Sequence, residues 1–432
     1  MSRHRVPATV DAGHWRLDPD IDFLNHGSFG ACPVVVQDEQ SRWRQLIERD
    51  PVHFFQDELE RHLDAARSEV AAPVGARPQD LVFVANATTG INTVLRSVAP
   101  ALAPGDEVLT TDHEYNAVGN TLRWAAGATG SQLVVARIPF PIESADRAVE
   151  AIVGAVTRRT RLAVISHVTS ATGLVLPIER IVPELSRLGV ETLVDGAHAP
   201  GMVPLGLDAL GAAYYVGDGH KWWCAPKGSG FLHVRRDRQA AVRPLVISHG
   251  ANSPRTDRSR FLLEADWTGT WDPTPALSLP TALRFLASLR PGGPAELMAG
   301  NHDLCMAARD IICSAIEIEP PAPDEMLGSM AALPLPDSIH PMADATESAA
   351  DPDASLPDDP LHRSLLERDG IQVPVYPWPP VPTRDRPALR LLRISAHAYN
   401  GMEQYERLAE ALASRTAGPS TPDGRPRPMG SA

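Results

Sequence analysis

The sequence predicts an α/β protein: one large, mostly parallel sheet with helices on both faces, then a smaller α+β unit. Three observations point there. From Leu81 onward, short apolar β-prone runs alternate with helical stretches, the pattern of strands joined by helical crossovers. Toward the C-terminus the order changes to strand, strand, helix. The 432 residues are too many for one ordinary domain and enough for a large domain with a smaller companion.

The elements follow in order. Residues 1–20 form a polar arm. A short strand and a glycine loop come next, in Phe23-Leu24-Asn25-His26-Gly27-Ser28-Phe29-Gly30-Ala31-Cys32-Pro33. A helix over Val35 to Arg49 stops at Asp50-Pro51, because a residue before proline is pushed out of the helical region. A second helix, Glu58 to Val70, sets Leu59, Leu63, Ala66 and Val70 on one face. Strands are then expected at 81–84, 107–110, 133–138, 162–166, 192–194, 213–216 and 230–234, with helices at 88–98, 117–126, 147–156 and 178–188. In such a sheet ligands sit at the carboxyl ends of the strands. Helices over 279–289 and 294–316 follow. Residues 319–360 are rich in Pro, Asp, Ala and Ser, and 344–359 read as a mobile acidic loop. Strands at 371–376 and 389–395 and a helix over 402–413 close the fold, with Asn400 and Glu403 as a capping pair. The expected division is a large domain over 21–280, to which 21–70 contribute an N-terminal segment, a small domain over 281–416, and a disordered tail over 417–432.

Composition narrows the function. Hydrophobic residues make up 43% and charged residues 22%, a globular balance. The net charge of −13 argues against a nucleic-acid groove and against an anionic membrane surface. No apolar run reaches transmembrane length, and Met1 to Arg16 lacks an apolar signal core. Cys32, Cys224, Cys305 and Cys313 show no paired metal spacing and suit a reducing compartment. A cytoplasmic protein is the expectation.

The chemistry collects at strand ends. Ala212-Ala213-Tyr214-Tyr215-Val216 reads as a buried strand, Gly217 and Gly219 break it, and His220-Lys221-Trp222-Trp223 follow. A Lys against an apolar wall loses hydration, so its amine gives up its proton more readily and becomes a usable nucleophile. Schiff-base chemistry on an aldehyde cofactor needs such an amine; a surface Lys beside a turn has the same local sequence. Asn86-Ala87-Thr88-Thr89-Gly90 opens a helix, where backbone N–H groups, the helix dipole and two hydroxyls suit a phosphate; a simple Thr cap reads the same. Asp195 closes a strand, where an acid can keep a ring nitrogen protonated or cap a turn. A metal held by Asp195 and His198 lacks a third ligand nearby. Tyr115, also at a strand end, can lie flat against a cofactor ring, and His167 reads as a structural histidine.

The joint order is a phosphate-type loop, an aromatic strand end, an acid strand end and a Lys strand end. With that order the chain resembles the fold-type I pyridoxal-phosphate enzymes of the class V aminotransferase family. It is most similar to their isopenicillin N epimerase-like branch, a relative of the cysteine desulfurases and C–S lyases. The resemblance covers roughly Asp22 to Leu412. It rests on Leu24-Asn25-His26-Gly27-Ser28-Phe29-Gly30, Asn86-Ala87-Thr88-Thr89-Gly90-Ile91-Asn92, Val194-Asp195-Gly196-Ala197-His198, His220-Lys221-Trp222, Trp267-Thr268-Gly269-Thr270 and Arg393-Ile394-Ser395. It implies pyridoxal 5'-phosphate as cofactor, with Lys221 joined to its aldehyde and shuttling the Cα proton. It implies Asp195 at the pyridine nitrogen, His198 near the ring hydroxyl, and Thr88, Thr89 and His220 around the phosphate. Thr270 would reach the phosphate of a second subunit, so a homodimer is implied. Arg393 would clamp the substrate carboxylate, and Asn25 and His26 would line the substrate entrance.

Three departures matter. Tyr115 stands where desulfurases usually stack a His, and Trp271 where epimerase-like relatives commonly carry Arg. No cysteine follows Cys313, which argues against a persulfide-forming desulfurase. The resemblance therefore implies an enzyme acting on an amino acid or peptide by removing its Cα proton. Epimerisation is the favoured outcome; C–S cleavage of an S-conjugated cysteine and decarboxylating deamination share the first step. A family fold kept as a non-enzymatic binding module would be expected to have lost Lys221 or Asp195, and both are present.

Overall fold

The computed structural model describes residues 9–339, 359–379 and 388–415. A two-residue strand, β1 (Asp22–Phe23), stands apart from the main sheet. That sheet comprises β2 (Leu81–Val84), β3 (Glu107–Thr111), β4 (Gln132–Ala136), β5 (Thr160–Ser166), β6 (Glu191–Asp195), β7 (Tyr214–Asp218) and β8 (Gly230–Val234). Their spatial order is β2-β8-β7-β6-β5-β3-β4. Strands β3 to β7 pair in parallel, and β8 runs antiparallel between β7 and β2. With β8 alone reversed, β2, β3, β5, β6 and β7 all end on the same edge of the sheet.

The strands read as apolar runs because helices cover both faces. In β7 and β8 every residue is buried, whereas the edge strand β4 is half-exposed. The helix Ala87–Val98 shows how tightly the layers meet. Asn86 caps it, its Oδ1 accepting from Thr89 N at 2.9 Å. At Gly90 a Cβ would come within 2.7 Å of Val216 Cγ1, so only glycine lets the first turn of this helix sit on β7.

The second unit holds β9 (Met330–Pro334), β10 (Ile371–Gln372), β11 (Val375–Trp378) and β12 (Leu389–Ser395). Strands β11, β12 and β9 form an antiparallel sheet in that order, flanked by the packed helices Gly293–Ala315 and Met402–Ala413. Strand β1 pairs in parallel with β10, and Ser395 N donates to Leu24 O at 2.9 Å. The glycine loop after β1 is thereby fastened beside β12, more than three hundred residues away in the chain.

The alternation expected from Leu81 is observed strand for strand, with ends moved by a few residues. The C-terminal third differs more. Strand β9 and the helix Pro360–Asp369 fall in or beside the Pro- and Asp-rich stretch. Composition averaged over that stretch hides the buried run Met330-Ala331-Ala332-Leu333. The strand expected at 371–376 splits into β10 and β11 around Val373-Pro374, since proline has no N–H to offer a ladder. The last helix is capped at Gly401, and its backbone N donates to Gln404 Oε1 at 3.2 Å, so Gln404 rather than Glu403 reaches back. The arm is not wholly polar in place: Trp15 is buried, with Tyr399 and Phe285 edge-on at 5.0 and 5.5 Å. Most of the acidic loop and the tail lie outside the described residues. The loop's last residue, Asp359, caps Pro360–Asp369 and pairs with Arg390. Among the described residues no helix is long and apolar enough to cross a membrane.

Candidate active site

Lys221 stands just beyond the end of β7, in a turn closed by Gly219 N donating to Ser229 O at 2.9 Å. Its backbone is held from two sides. Lys221 O accepts from Cys224 N at 2.9 Å, and His26 Nε2 lies 3.0 Å from the same oxygen. Gly30 passes directly against this turn: a Cβ there would lie 2.5 Å from Lys221 O and 2.6 Å from His220 O. Those are backbone atoms that no rotamer change can move. Gly30→Ala is therefore expected to destabilise the protein by about 1–3 kcal/mol and displace Lys221. A lowered midpoint in thermal unfolding checks this, and an unchanged midpoint would show that the loop has room to shift.

The Lys221 amine lies among polar side chains: Nζ is 3.2 Å from Asp218 Oδ2 and 3.5 Å from His198 Nε2. His198 is buried, and burial, then the Lys221 and Arg393 charges, hold its pKa well below the usual imidazole range. It is a neutral ring at physiological pH, and its Nδ1 has no partner among the described residues.

Asp195 ends β6, next to β7 in the sheet. Its Oδ1 accepts from Ala197 N at 2.9 Å, which turns the chain sharply off the strand. Burial raises its pKa to about 6, against the pull of that hydrogen bond and the Lys221 charge. A second carboxyl, Glu114, is close by. Ser166, the register partner of Asp195 on β5, donates its hydroxyl to Glu114 Oε1 at 2.8 Å, and Tyr115 N donates to the same oxygen at 2.9 Å. Glu114 Oε2 is buried without a partner among the described residues. Burial first, and then the Asp195 charge, raise the Glu114 pKa to about 8, so this carboxyl is neutral at pH 7. The Tyr115 side chain is half-exposed. His167, read as structural, is buried with Nδ1 2.9 Å from Tyr215 OH.

At the other end of Lys221, the helix Ala87–Val98 points its N-terminus toward Asp218: Ala87 N donates to Asp218 Oδ1 at 2.7 Å. Thr88 is exposed, whereas Thr89 gives both its amide and its hydroxyl to Asn86 Oδ1, at 2.9 and 3.1 Å. His220 is mostly buried, with Nδ1 3.2 Å from Ser229 O and Nε2 3.8 Å from Asp218 Oδ2. A cavity of about 540 Å³ opens here, lined by Thr89, Phe83, Lys227, Thr268 and Trp271 among others. Thr270 is exposed and lines a different cavity, with Phe55 and Trp267. Within one chain, then, Trp271 lines the Thr89 cavity and Thr270 does not.

Arg393 projects from β12 and is buried. Its Nη1 donates to Ser170 O at 2.5 Å and its Nη2 to Ser28 Oγ at 2.9 Å, with Asn25 Oδ1 at 3.4 Å and the Tyr376 ring centre 5.8 Å away. Among the described residues its hydrogen-bond partners are all neutral acceptors, so the guanidinium suits a carboxylate. Asn25 belongs to this group. His26 does not. It is fully buried, its Nδ1 2.7 Å from Tyr399 OH and its Nε2 at Lys221 O. It supports the lysine turn from behind instead of lining an entrance. Trp222 and His397 stack around it at 4.9 and 4.3 Å. The cluster His26, Cys224 and His397 has a metal-type composition, but its atoms already face one another and the Lys221 carbonyl.

Two acids of the site, Glu114 and Asp218, stand outside the sequence-based selection. Glu114 directly precedes Tyr115 and Asp218 lies between Gly217 and Gly219, but what each does follows from partners on other elements. The residues present suit pyridoxal phosphate: an amine, a buried acid for the ring nitrogen, an unpartnered imidazole nitrogen beside the amine and a helix N-terminus for phosphate. The cysteines offer no second nucleophile of comparable readiness. Burial raises the Cys32 thiol to about 11, Cys305 and Cys313 to about 12, and Cys224 well above its ordinary value.

Comparison with known proteins bears on the family and the fold. The family model of aminotransferase class-V matches residues 24–346. An isopenicillin N epimerase of Amycolatopsis lactamdurans is 38% identical over 412 residues, 92% of this chain and 95% of that protein. A probable chloroplastic L-cysteine desulfhydrase of Arabidopsis thaliana is 30% identical over 412 residues, 91% of this chain and 83% of that one. Among solved structures, a mutant of C-DES with glycine covalently linked to its PLP cofactor superposes with a TM-score of 0.71 at 20% identity, over 91% of this chain and 97% of that one.

Proposed function

The chain belongs to the aminotransferase class-V family, and on that premise we propose that it is a pyridoxal-phosphate enzyme that removes the Cα proton of an amino acid or peptide and returns one on the other face, as an isopenicillin N epimerase-like epimerase. The observation that supports this most is the grouping of Lys221, Asp195 and His198 at adjacent strand ends, with the buried Arg393 charge within electrostatic reach of His198. The direction of the reaction is taken from the epimerase relative, which matches along nearly its whole length.

Bound there, pyridoxal phosphate supplies an aldehyde that joins amines and an electron-withdrawing ring that makes a Cα proton acidic. The chain's own residues do the rest. Arg393 grips the substrate carboxylate with its planar fork and so fixes which bond at Cα faces Lys221. Lys221 Nζ takes or returns the proton at Cα. Asp195 keeps the ring nitrogen's proton in place, and neutral Glu114 beside it adds no competing charge at pH 7. His198 supplies its free Nδ1 or its Nε2 to the ring's oxygen.

A C–S lyase is the second reading, favoured by the L-cysteine desulfhydrase relative. Product analysis in deuterated water separates the two. The enzyme is incubated with a panel of L-amino acids, β-lactam tripeptides and S-conjugated cysteines. Epimerisation is expected to give deuterium-labelled D and L products with all other atoms retained. Pyruvate, ammonia and a sulfur fragment from a thioether substrate, with no D-isomer from any substrate, would overturn it in favour of the lyase.

Asp195 makes cofactor uptake pH-dependent. Its carboxylate is the form that holds a ring proton, and burial sets its titration near pH 6. Uptake is therefore expected to be strongest above that value and to weaken as pH falls from 7 to 5. Asp195→Asn, which cannot ionise, should bind weakly at every pH. Parallel wild-type and variant curves in fluorescence titrations would take Asp195 out of this role.

We also propose a homodimer, because Thr270 is exposed and separate from the Thr89 cavity it is expected to serve, so a second subunit must present it. The dimer should appear in sedimentation, and an active monomer would contradict it.

A further inference from the structure

Asp218 has no part in the function proposed above, yet it touches the amine at the centre of it. It is the last residue of β7 and is 3% exposed. One oxygen accepts from Ala87 N at 2.7 Å, the first amide of the helix Ala87–Val98, and the other lies 3.2 Å from Lys221 Nζ. The remaining groups facing that amine are His198 at 3.5 Å, kept neutral by burial, and, at longer range, Asp195 on β6. His220 lies 3.8 Å from the same Asp218 oxygen, and Arg393 on β12 acts on His198. Among the described residues, Asp218 is the carboxylate in contact with the Lys221 amine.

A helix N-terminus that is to receive a phosphate gains nothing from a carboxylate at its first amide, since two anions compete for one positive dipole end. An asparagine would accept the Ala87 bond equally well without the charge. What the charge adds is attraction for Lys221, strengthened by the low dielectric of a buried site. We infer that Asp218 is the counter-ion of Lys221 whenever that side chain is unbonded and carries a proton, seating the ammonium at the end of β7. This inference rests on the proposed use of Lys221. Once the substrate's amine has displaced it and it has taken the Cα proton, Lys221 is seated, charged and ready to give a proton back. To bond to an aldehyde it must first release its proton to solvent; its nitrogen lone pair then adds to the carbonyl carbon, and the carbonyl oxygen leaves as water.

The sequence makes a direct test feasible, because it contains only two lysines, Lys221 and Lys227. The full-length, cofactor-free chain is reductively methylated with ¹³C-formaldehyde, and the dimethyl-lysine resonances are titrated by NMR, with Lys227→Arg giving the assignment. Asp218→Asn is expected to lower the midpoint of the Lys221 resonance by about one pH unit or more relative to wild type. Ala87→Pro removes the amide that Asp218 caps, at the first helical position where proline is tolerated, and leaves the charge. It should leave the Lys221 midpoint unchanged. Asp218→Ser serves if Asp218→Asn does not fold. Equal midpoints in wild type and an Asp218 variant would overturn the inference and leave Asp218 as a helix cap. The cofactor proposal fails separately, if added pyridoxal phosphate gives no Schiff-base absorbance with unmethylated wild type.

Discussion

Lys221→Ala is expected to remove the visible Schiff-base band of the purified protein and to lower turnover by on the order of 10²–10⁴-fold or more. That is the scale of losing a positioned proton-transfer group alone, before its loss as a nucleophile is counted. The turn itself should survive, because its backbone is held through Lys221 O by Cys224 N and His26, and neither bond involves the side chain. Circular dichroism should therefore report a folded variant. The substitution leaves Asp218 buried without its cation, so a modest fall in stability is expected beside the loss of activity. A variant that keeps both the band and the turnover would put the reactive amine elsewhere.

Arg393→Ala is expected to weaken the binding of α-carboxylate substrates by about 2–5 kcal/mol, because a buried carboxylate would lose its only matching charge. The residue's present partners explain why the effect should fall on substrate and not on folding. Ser170 O, Ser28 Oγ and Asn25 Oδ1 are neutral acceptors that Arg393 satisfies at the site's edge. Cofactor content should hardly change. The check is a KM increase for carboxylate substrates with little change for their amides, and equal kinetics for both proteins would remove Arg393 from the site.

The sheet, and the gathering of Asp195 and Lys221 at its edge, were legible in the sequence for one reason. Asp195 and Lys221 each follow a short β-prone run, and parallel strands bring such ends together whatever their order in the chain. Residues whose meaning depends on distant pairing were not legible. His26 lies in a motif that looks substrate-facing, but the pairing of β1 with β10 turns it inward, under the lysine. Glu114 acquires its character from Ser166 and Asp195, on β5 and β6, which no local pattern around it discloses. Asp218 reads as part of a glycine break until the amide of Ala87 is found opposite it. Strand β9 was hidden by the prolines and acids surrounding four buried residues, because composition over a long window averages away a short run.

The reaction's outcome is a finer matter than its first step. Trp271 stands as a partly buried indole on the wall of the Thr89 cavity.

The proposed chemistry depends most on one nitrogen carrying the cofactor, and the two-lysine sequence lets that be read directly. The protein loaded with pyridoxal phosphate is reduced with borohydride, digested and mapped by mass spectrometry. One pyridoxyl-phosphate adduct per chain is predicted, on Lys221. An adduct on Lys227, or a loaded protein with no reducible adduct on either lysine, would contradict the account.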